Sequence, residues 1–161
     1  RQRRKEDAKM REIDFRGFHL DKNGTEEIFI NGKWVKGEWS QGDLLRLSPE
    51  ARLFLFTEED SIVDFATKSK RRKRLVIPET VGQYTGVKDR NDTKIFEGDI
   101  VDIFREEERG VVKWDEDTAR FIILSDSISA GFDNYWGKDL EVIGNIYDNQ
   151  DICDDIMRGG I

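Results

Sequence analysis

The sequence predicts a mainly β fold with a minor share of α structure. Between residues 82 and 149, short apolar runs alternate with clusters of Gly, Asp and Asn, which is the rhythm of β-strands joined by tight turns. The 10 Phe, 4 Trp and 3 Tyr side chains supply much of the area that a core can bury, and aromatic residues favour strands. With 161 residues, the chain fits one domain or one domain with a smaller appended lobe.

The region from residue 10 to residue 77 is predicted to consist of strands, and residues 1–9 to form a flexible basic arm that buries little apolar area. Residues 11–18 alternate polar and apolar side chains through Phe15, as a half-buried strand does. Two strand-like runs flank Asn31-Gly32, and this dipeptide is typical of a two-residue hairpin turn. Residues 53–56 fit a strand or a buried helix, and we favour the strand.

Residues 68–74, KSKRRKR, place six basic side chains in seven positions, and we predict a basic loop there. The short strand after it, Leu75 to Ile77, should end at Pro78 because proline pushes the preceding residue towards extended geometry. Residues 150–161 form the C-terminal tail, where the apolar spacing allows a short amphipathic helix.

Residues 78–149 are predicted to form the β-barrel core. Apolar runs at 100–104, 110–114, 120–124 and 140–144 read as successive strands, and we place Phe104 and Trp114 in or near their core. The first run enters after the Gly98-Asp99 turn, and a charged tip separates it from the second. These features favour a small SH3-like barrel or half-barrel of five strands at the C-terminal end, beside the N-terminal strands and hairpin.

Charge and cysteine content restrict the function classes. The net charge is −7, but residues 1–81 carry 18 basic and 15 acidic side chains, whereas residues 82–161 carry 9 and 19. Contacts with a polyanion are therefore expected from the first half only. Cys153 is the only cysteine, which excludes an intramolecular disulfide and suits a reducing cytosol. We find no transmembrane run and no secretory signal, and we expect a cytoplasmic protein without membrane partners.

Two segments together resemble the signature of the YopX family, whose members are encoded by phages and prophages of bacteria. They are IPETVGQYTGVKD at residues 77–89 and IFEGDIV at residues 95–101. Residues 10–16 resemble the start of the family pattern and residues 140–149 its end. The resemblance implies a mostly β protein of phage origin in the bacterial host cytoplasm, with no established activity and no catalytic residues to carry over. We interpret the motif residues as structural: Gly82, Gln83, Tyr84, Thr85, Gly86, Glu97, Gly98 and Asp99.

One position departs from the family pattern. Asp92 stands in the Arg90–Thr93 turn where the family usually has glycine. Asp tolerates the left-handed region less well than Gly, at a cost of about 1 kcal/mol. The departure bears on the type of turn and not on the fold.

No catalytic, metal or cofactor site is predicted. His19 is the only histidine, no G-x-S-x-G elbow is present, and a mononuclear zinc site usually needs several Cys or His ligands. The acidic clusters 106–108 and 115–117 lack the spacing of a calcium loop, so we interpret them as solvated loop tips. We therefore expect no cofactor.

Two functions fit these observations. The first is a non-enzymatic protein-interaction module that self-associates or docks through strand edges and an aromatic surface. Trp34, Trp39, Tyr84, Tyr135 and Trp136 are the candidates for that surface. The alternative is a nucleic-acid-binding small β-barrel. Its contacts would come from the N-terminal arm and the basic segment, whose residues are Lys68, Lys70, Arg71, Arg72, Lys73 and Arg74. An enzyme of unknown chemistry is a weaker third hypothesis.

Overall fold

The computed structural model describes residues 12–46, 53–57, 72–135 and 137–158. Within these ranges twelve β-strands accompany one α-helix, and the prediction of a mainly β fold with minor α structure is confirmed. The strands are β1 (Phe15–Leu20), β2 (Glu26–Ile30), β3 (Lys33–Arg46), β4 (Leu53–Thr57), β5 (Arg72–Val76), β6 (Gly82–Lys88), β7 (Lys94–Phe96), β8 (Asp99–Ile103), β9 (Glu108–Asp115), β10 (Arg120–Leu124), β11 (Ser129–Gly131) and β12 (Leu140–Asn145). The helix is α1 (Gln150–Met157). No helix in the described ranges is long and apolar enough to cross a membrane.

Strands β1 to β7 form one sheet in the order β2-β3-β4-β5-β1-β6-β7. The 14-residue strand β3 pairs with β2 and β1 along its first part and with β4 along its last part. Strand β5 pairs with both β4 and β1. The ladder from β1 through β3, β4 and β5 therefore closes on itself, and the length of β3 makes this closure possible.

The β2–β3 hairpin forms as the sequence predicts. Asn31 and Gly32 adopt φ angles of 52° and 78°, which is the pair of left-handed residues that a two-residue hairpin turn of type I′ requires. Along β2, Ile28 and Ile30 are buried whereas Phe29 between them is exposed, because successive side chains of a strand point to opposite faces.

The second sheet has five strands in the order β11-β10-β9-β8-β12. Strands β8 to β11 form a meander, and β12 returns antiparallel beside β8. The number of strands agrees with the five predicted for the C-terminal end, but the ladder that closes on itself lies in the first sheet and not in this one. The sheets do not divide at residue 78, however. Gly82 and Gln83 of β6 pair with β1, so β6 and β7 belong to the first sheet and the second begins at Asp99.

Two apolar clusters cover the two faces of the second sheet. One cluster is built around Val101, Ile103 and Ile123. The other places Ile156 of α1 against Ile100 and Val111, so the amphipathic C-terminal segment forms the short helix that its spacing predicts. Alternating residues of β8 and β9 thus face different clusters, as the period of a strand requires.

Three local predictions need correction. Residues 72–74 are not part of a loop, since they open strand β5 and pair with β4; residues 68–71 lie outside the described ranges. Phe104 and Trp114 do not belong to the core, because they are 45% and 44% exposed. Phe104 follows the end of β8, where Arg90 lies over its ring at 4.1 Å, and Trp114 packs edge-on against Phe121.

Candidate interaction surface

The residues of the family motif lie where the two sheets meet. Gly82 to Gly86 run along β6, and Glu97 and Gly98 form the turn that leads to Asp99 at the start of β8. A Cβ atom at Gly82 would lie 2.4 Å from the carbonyl oxygen of Glu97. Only glycine therefore allows β6 to approach the turn this closely.

The Gln-Tyr-Thr-Gly segment forms a bulge in the β6–β7 ladder, whose register shifts between Tyr84 and Lys88. Gly86 has a φ angle of 89°, as residues in bulges often do. The hydroxyl of Thr85 donates to the carbonyl of Ile95 at 2.8 Å and accepts from the N–H of Val87 at 3.2 Å. The threonine side chain therefore supplies hydrogen bonds that the interrupted ladder does not.

Asp99 forms an ion pair with Arg16 of β1. The Oδ1 atom lies 2.6 Å from the guanidinium Nη1, and the two side chains are 1% and 13% exposed. The guanidinium carbon lies 5.0 Å from the ring centre of Trp39 and 4.9 Å from that of Phe96. The cation therefore contacts a carboxylate and two aromatic faces, which suits a planar, weakly hydrated guanidinium better than an ammonium group.

The protonation of Asp99 reflects this setting. Burial raises the pKa of the Asp99 carboxyl above its usual value, while the positive charge of Arg16 and the Phe96 N–H, which donates to Oδ2 at 2.8 Å, act in the opposite direction. Burying the two charges of this pair costs desolvation free energy, which their mutual attraction offsets. The pair connects the start of β8 to β1, and the structural interpretation of this motif residue stays a prediction.

The basic residues are brought into no described site. Lys68, Lys70 and Arg71 lie outside the described residues. Arg72, Lys73 and Arg74 have their backbone in β5, between β4 and β1. The nucleic-acid contact predicted from these six residues stays a prediction.

Of the five aromatic residues that the sequence indicated as a surface, Trp34 is exposed, and it lies on the hairpin beside Phe29, which was not among them. Phe29 and Trp34 lie opposite each other on β2 and β3, with ring centres 5.5 Å apart and exposures of 38% and 68%. Two of the other candidates, Tyr84 and Tyr135, are buried. Trp39 is half-buried, and Trp136 lies outside the described residues.

The aromatic pair adjoins a strand edge. Within the part of the chain that the structure describes, β2 is a terminal strand of its sheet with a paired neighbour on one side only. The other terminal strands have edges that are shorter or covered. Strands β7 and β11 are each three residues long. The outer side of β12 is covered, since Arg90 N–H donates to the Leu140 carbonyl at 3.0 Å and Val142 N–H donates to the Asp89 carboxylate at 2.9 Å.

An acidic groove of about 930 Å³ lies between the β8–β9 tip, the β10–β11 turn and α1. Glu108 in this groove accepts hydrogen bonds from the hydroxyls of Ser125 and Ser127 at 3.2 and 2.6 Å. Asp102 pairs with Arg109 at 3.0 Å. These carboxylates are engaged with neighbouring side chains, and we assign the groove no chemical role.

The fold brings together a cluster of metal-ligating side chains that the sequence did not predict. His19, Asp21 and Glu38 each place one ligand atom within 4.8 Å of the others. A search of the sequence for several Cys or His ligands overlooks this cluster, because two of its three ligands are carboxylates. The signal that could have found it is the pairing of β1 with β3, which places His19 opposite Glu38.

Together, these features define a class of mainly β protein in which an N-terminal sheet with an exposed aromatic hairpin is joined to a C-terminal five-stranded sheet by a buried Arg–Asp pair. The family model described as "YopX protein" matches residues 4–152. The chain belongs to the YopX family.

Two further comparisons bear on the chain. It is similar to protein EF1440 from Enterococcus faecalis, whose crystal structure is known, with a TM-score of 0.47 and 18% sequence identity over 89% of this chain and 99% of that chain. No curated protein matches the sequence.

Proposed function

We propose that this YopX protein is a non-enzymatic protein-interaction module of phage origin that acts in the bacterial host cytoplasm, and that it self-associates through the edge of β2 and the aromatic pair Phe29–Trp34. The observation that carries the proposal is the position of this pair. Two exposed aromatic side chains lie beside a strand edge of five residues. An unpaired strand edge binds a further strand through backbone hydrogen bonds, and adjacent aromatic side chains add buried area.

The occupant to which we commit is β2 of a second copy. An antiparallel pairing centred on Ile28 has two-fold symmetry and uses the same surface on both chains. It sets Glu27 opposite Phe29 of the second copy and Glu26 opposite Ile30, so no two like charges face each other. The two Phe29 side chains become diagonal neighbours at roughly 7–8 Å, which is within reach of aromatic rings.

Nucleic-acid binding through Lys68 to Arg74 is the alternative function. It rests on the sequence alone and is distinguished by its response to salt. If each basic side chain neutralises a phosphate, binding weakens steeply as salt rises. Self-association through an aromatic strand edge depends far less on salt.

Light scattering of the purified protein over a range of concentrations tests the proposal. We expect a monomer–dimer equilibrium in the wild-type chain. It should shift to monomer in Phe29→Lys, because a lysine on an edge strand opposes pairing with another strand, and in Trp34→Ser, which removes the exposed ring.

Ile13→Ser is the matched control. Ile13 is 60% exposed and precedes β1, so this variant loses an exposed apolar side chain outside the hairpin and should dimerise like wild type. A wild-type chain that stays monomeric at high concentration contradicts the proposal. Dimerisation of Phe29→Lys and Trp34→Ser to the same extent as the wild-type chain contradicts it as well.

A further inference from the structure

We propose that His19, Asp21 and Glu38 form a binding site for a first-row divalent transition metal ion, with Zn²⁺ as the best fit. This inference is independent of self-association. It starts from the geometry of the three side chains, whose ligand atoms lie within 4.8 Å of one another. His19 is 5% exposed, so the imidazole lies at the base of the site and the two carboxylates lie nearer the surface.

The β1–β3 ladder produces this arrangement. His19 and Glu38 are directly opposite in the antiparallel register, so their side chains share one face of the sheet. Asp21 follows His19 by two residues, and its N–H donates to the carbonyl of Lys36 at 3.1 Å. Asp21 therefore continues the extended chain along β3, and the period of two returns its side chain to the face of His19.

The imidazole is oriented by a neighbouring hydroxyl. The Nδ1 atom of His19 lies 3.0 Å from the Ser40 hydroxyl oxygen, and the Nε2 atom lies 3.9 Å from a carboxylate oxygen of Glu38. When Nδ1–H donates to Ser40, Nε2 has its lone pair directed towards the carboxylates. Metal-binding histidines are commonly held in this way, with the second ring nitrogen donating to a hydrogen-bond acceptor outside the metal's own ligands.

The donor set selects the class of ion. One imidazole nitrogen with two carboxylate oxygens suits Zn²⁺ and its first-row neighbours, whereas Ca²⁺ and Mg²⁺ prefer oxygen ligands only. Zinc bonds of about 2.0–2.2 Å in a tetrahedral site place ligand atoms roughly 3.4 Å apart. The observed 3.9 Å between His19 and Glu38 exceeds this by about half an ångström, and the distances to the Asp21 ligand atom are within 4.8 Å. The Glu38 side chain, 43% exposed, has room to close that gap.

Zn²⁺ titration with a competing chelator, and absorption spectroscopy with Co²⁺ as the probe ion, test the site. We expect one ion bound per chain with a Kd on the order of 1 µM. The variants Glu38→Gln and Asp21→Asn keep the shape of each side chain and should weaken binding about tenfold or more. Asp21→Asn also keeps the acceptor for the N–H of Asn23, which lies 2.9 Å from Oδ1.

Two variants serve as controls. Glu27→Gln removes an equivalent charge from an exposed residue of the neighbouring strand β2, and Cys153→Ser removes the only thiol. Both should bind Zn²⁺ like wild type. A Kd weaker than about 100 µM, or an affinity unchanged in both Glu38→Gln and Asp21→Asn, overturns the proposal. A loss of binding in Cys153→Ser that matches the loss in Glu38→Gln does so too, because the ion would then involve the thiol.

Discussion

Arg16 and Asp99 form an ion pair across the junction of the two sheets, with 2.6 Å between the guanidinium and the carboxylate. Arg16 lies on β1 of the first sheet and Asp99 opens β8 of the second. The rings of Trp39 and Phe96 lie against the guanidinium and limit its access to water. The pair therefore links the N-terminal strands to the second sheet.

Replacing Arg16 by methionine should destabilise the protein by about 3–5 kcal/mol, because it leaves a buried carboxylate without its cation. Chemical denaturation at pH 7 measures this change. The double variant Arg16→Met/Asp99→Asn removes both charges and keeps an acceptor for the Phe96 N–H, so most of the lost stability should return. A double variant no more stable than Arg16→Met would show that the charge of Asp99 is not the cause.

The stability of the Arg16→Met variant should also depend on pH. Burial raises the pKa of Asp99 above the ordinary 3.8, and loss of the Arg16 charge raises it further. The folded state then binds a proton more readily than the unfolded state, so stability is gained as pH falls through the raised pKa of the folded state and lost as pH rises back through it. The free-energy gap between Arg16→Met and the double variant should therefore shrink as pH is lowered from 8 through the raised pKa. A gap that widens as pH falls contradicts this sign.

Thr85→Val should destabilise the protein by about 1–3 kcal/mol, because the Ile95 carbonyl and the Val87 N–H would both lose a partner at the bulge. Valine has nearly the same shape as threonine, so the loss reports on the hydroxyl. Thr85→Ser keeps the hydroxyl and should cost clearly less in the same denaturation experiment. Equal losses in the two variants would assign the effect to the missing methyl group instead.

Asp92→Gly should stabilise the protein by about 0.5–1 kcal/mol. Asp92 has a φ angle of 63°, so the structure places a non-glycine residue in the left-handed region where the family pattern usually has glycine. Its ion pair with Lys88, at 3.5 Å between two exposed side chains, contributes little. Asp92→Ala is the control and should destabilise, since alanine adopts this conformation less readily than aspartate. Thermal unfolding of the wild-type chain and the two variants measures their order of stability, which should be Asp92→Gly, wild type, Asp92→Ala.

The sequence allowed accurate prediction where local chemistry determines structure. Asn31-Gly32 predicted the hairpin turn, and both residues have the left-handed φ angles that the turn requires. The run of Leu53 to Phe56, which periodicity alone leaves ambiguous, forms strand β4 as we favoured. In each case neighbouring residues carry the information.

The remaining errors concern contacts between distant residues. Nothing near Gly82 in the sequence indicates that β6 pairs with β1, so the first sheet extends further than predicted. The cluster of His19, Asp21 and Glu38 was not predicted for the same reason, because it depends on the register between the distant strands β1 and β3. The burial of Tyr84 and the exposure of Trp34 likewise depend on which face of the sheet another element covers.

Amide hydrogen exchange as a function of protein concentration tests the central claim most directly, because it locates the interface within the chain. Amides of β2 (Glu26–Ile30) should exchange more slowly as concentration rises, while those of β11, at the edge of the other sheet, should keep the same rates. In Phe29→Lys the β2 rates should not depend on concentration. Dimerisation without any slowing in β2 would contradict the account, and so would β2 rates in the wild-type chain that are the same at every concentration.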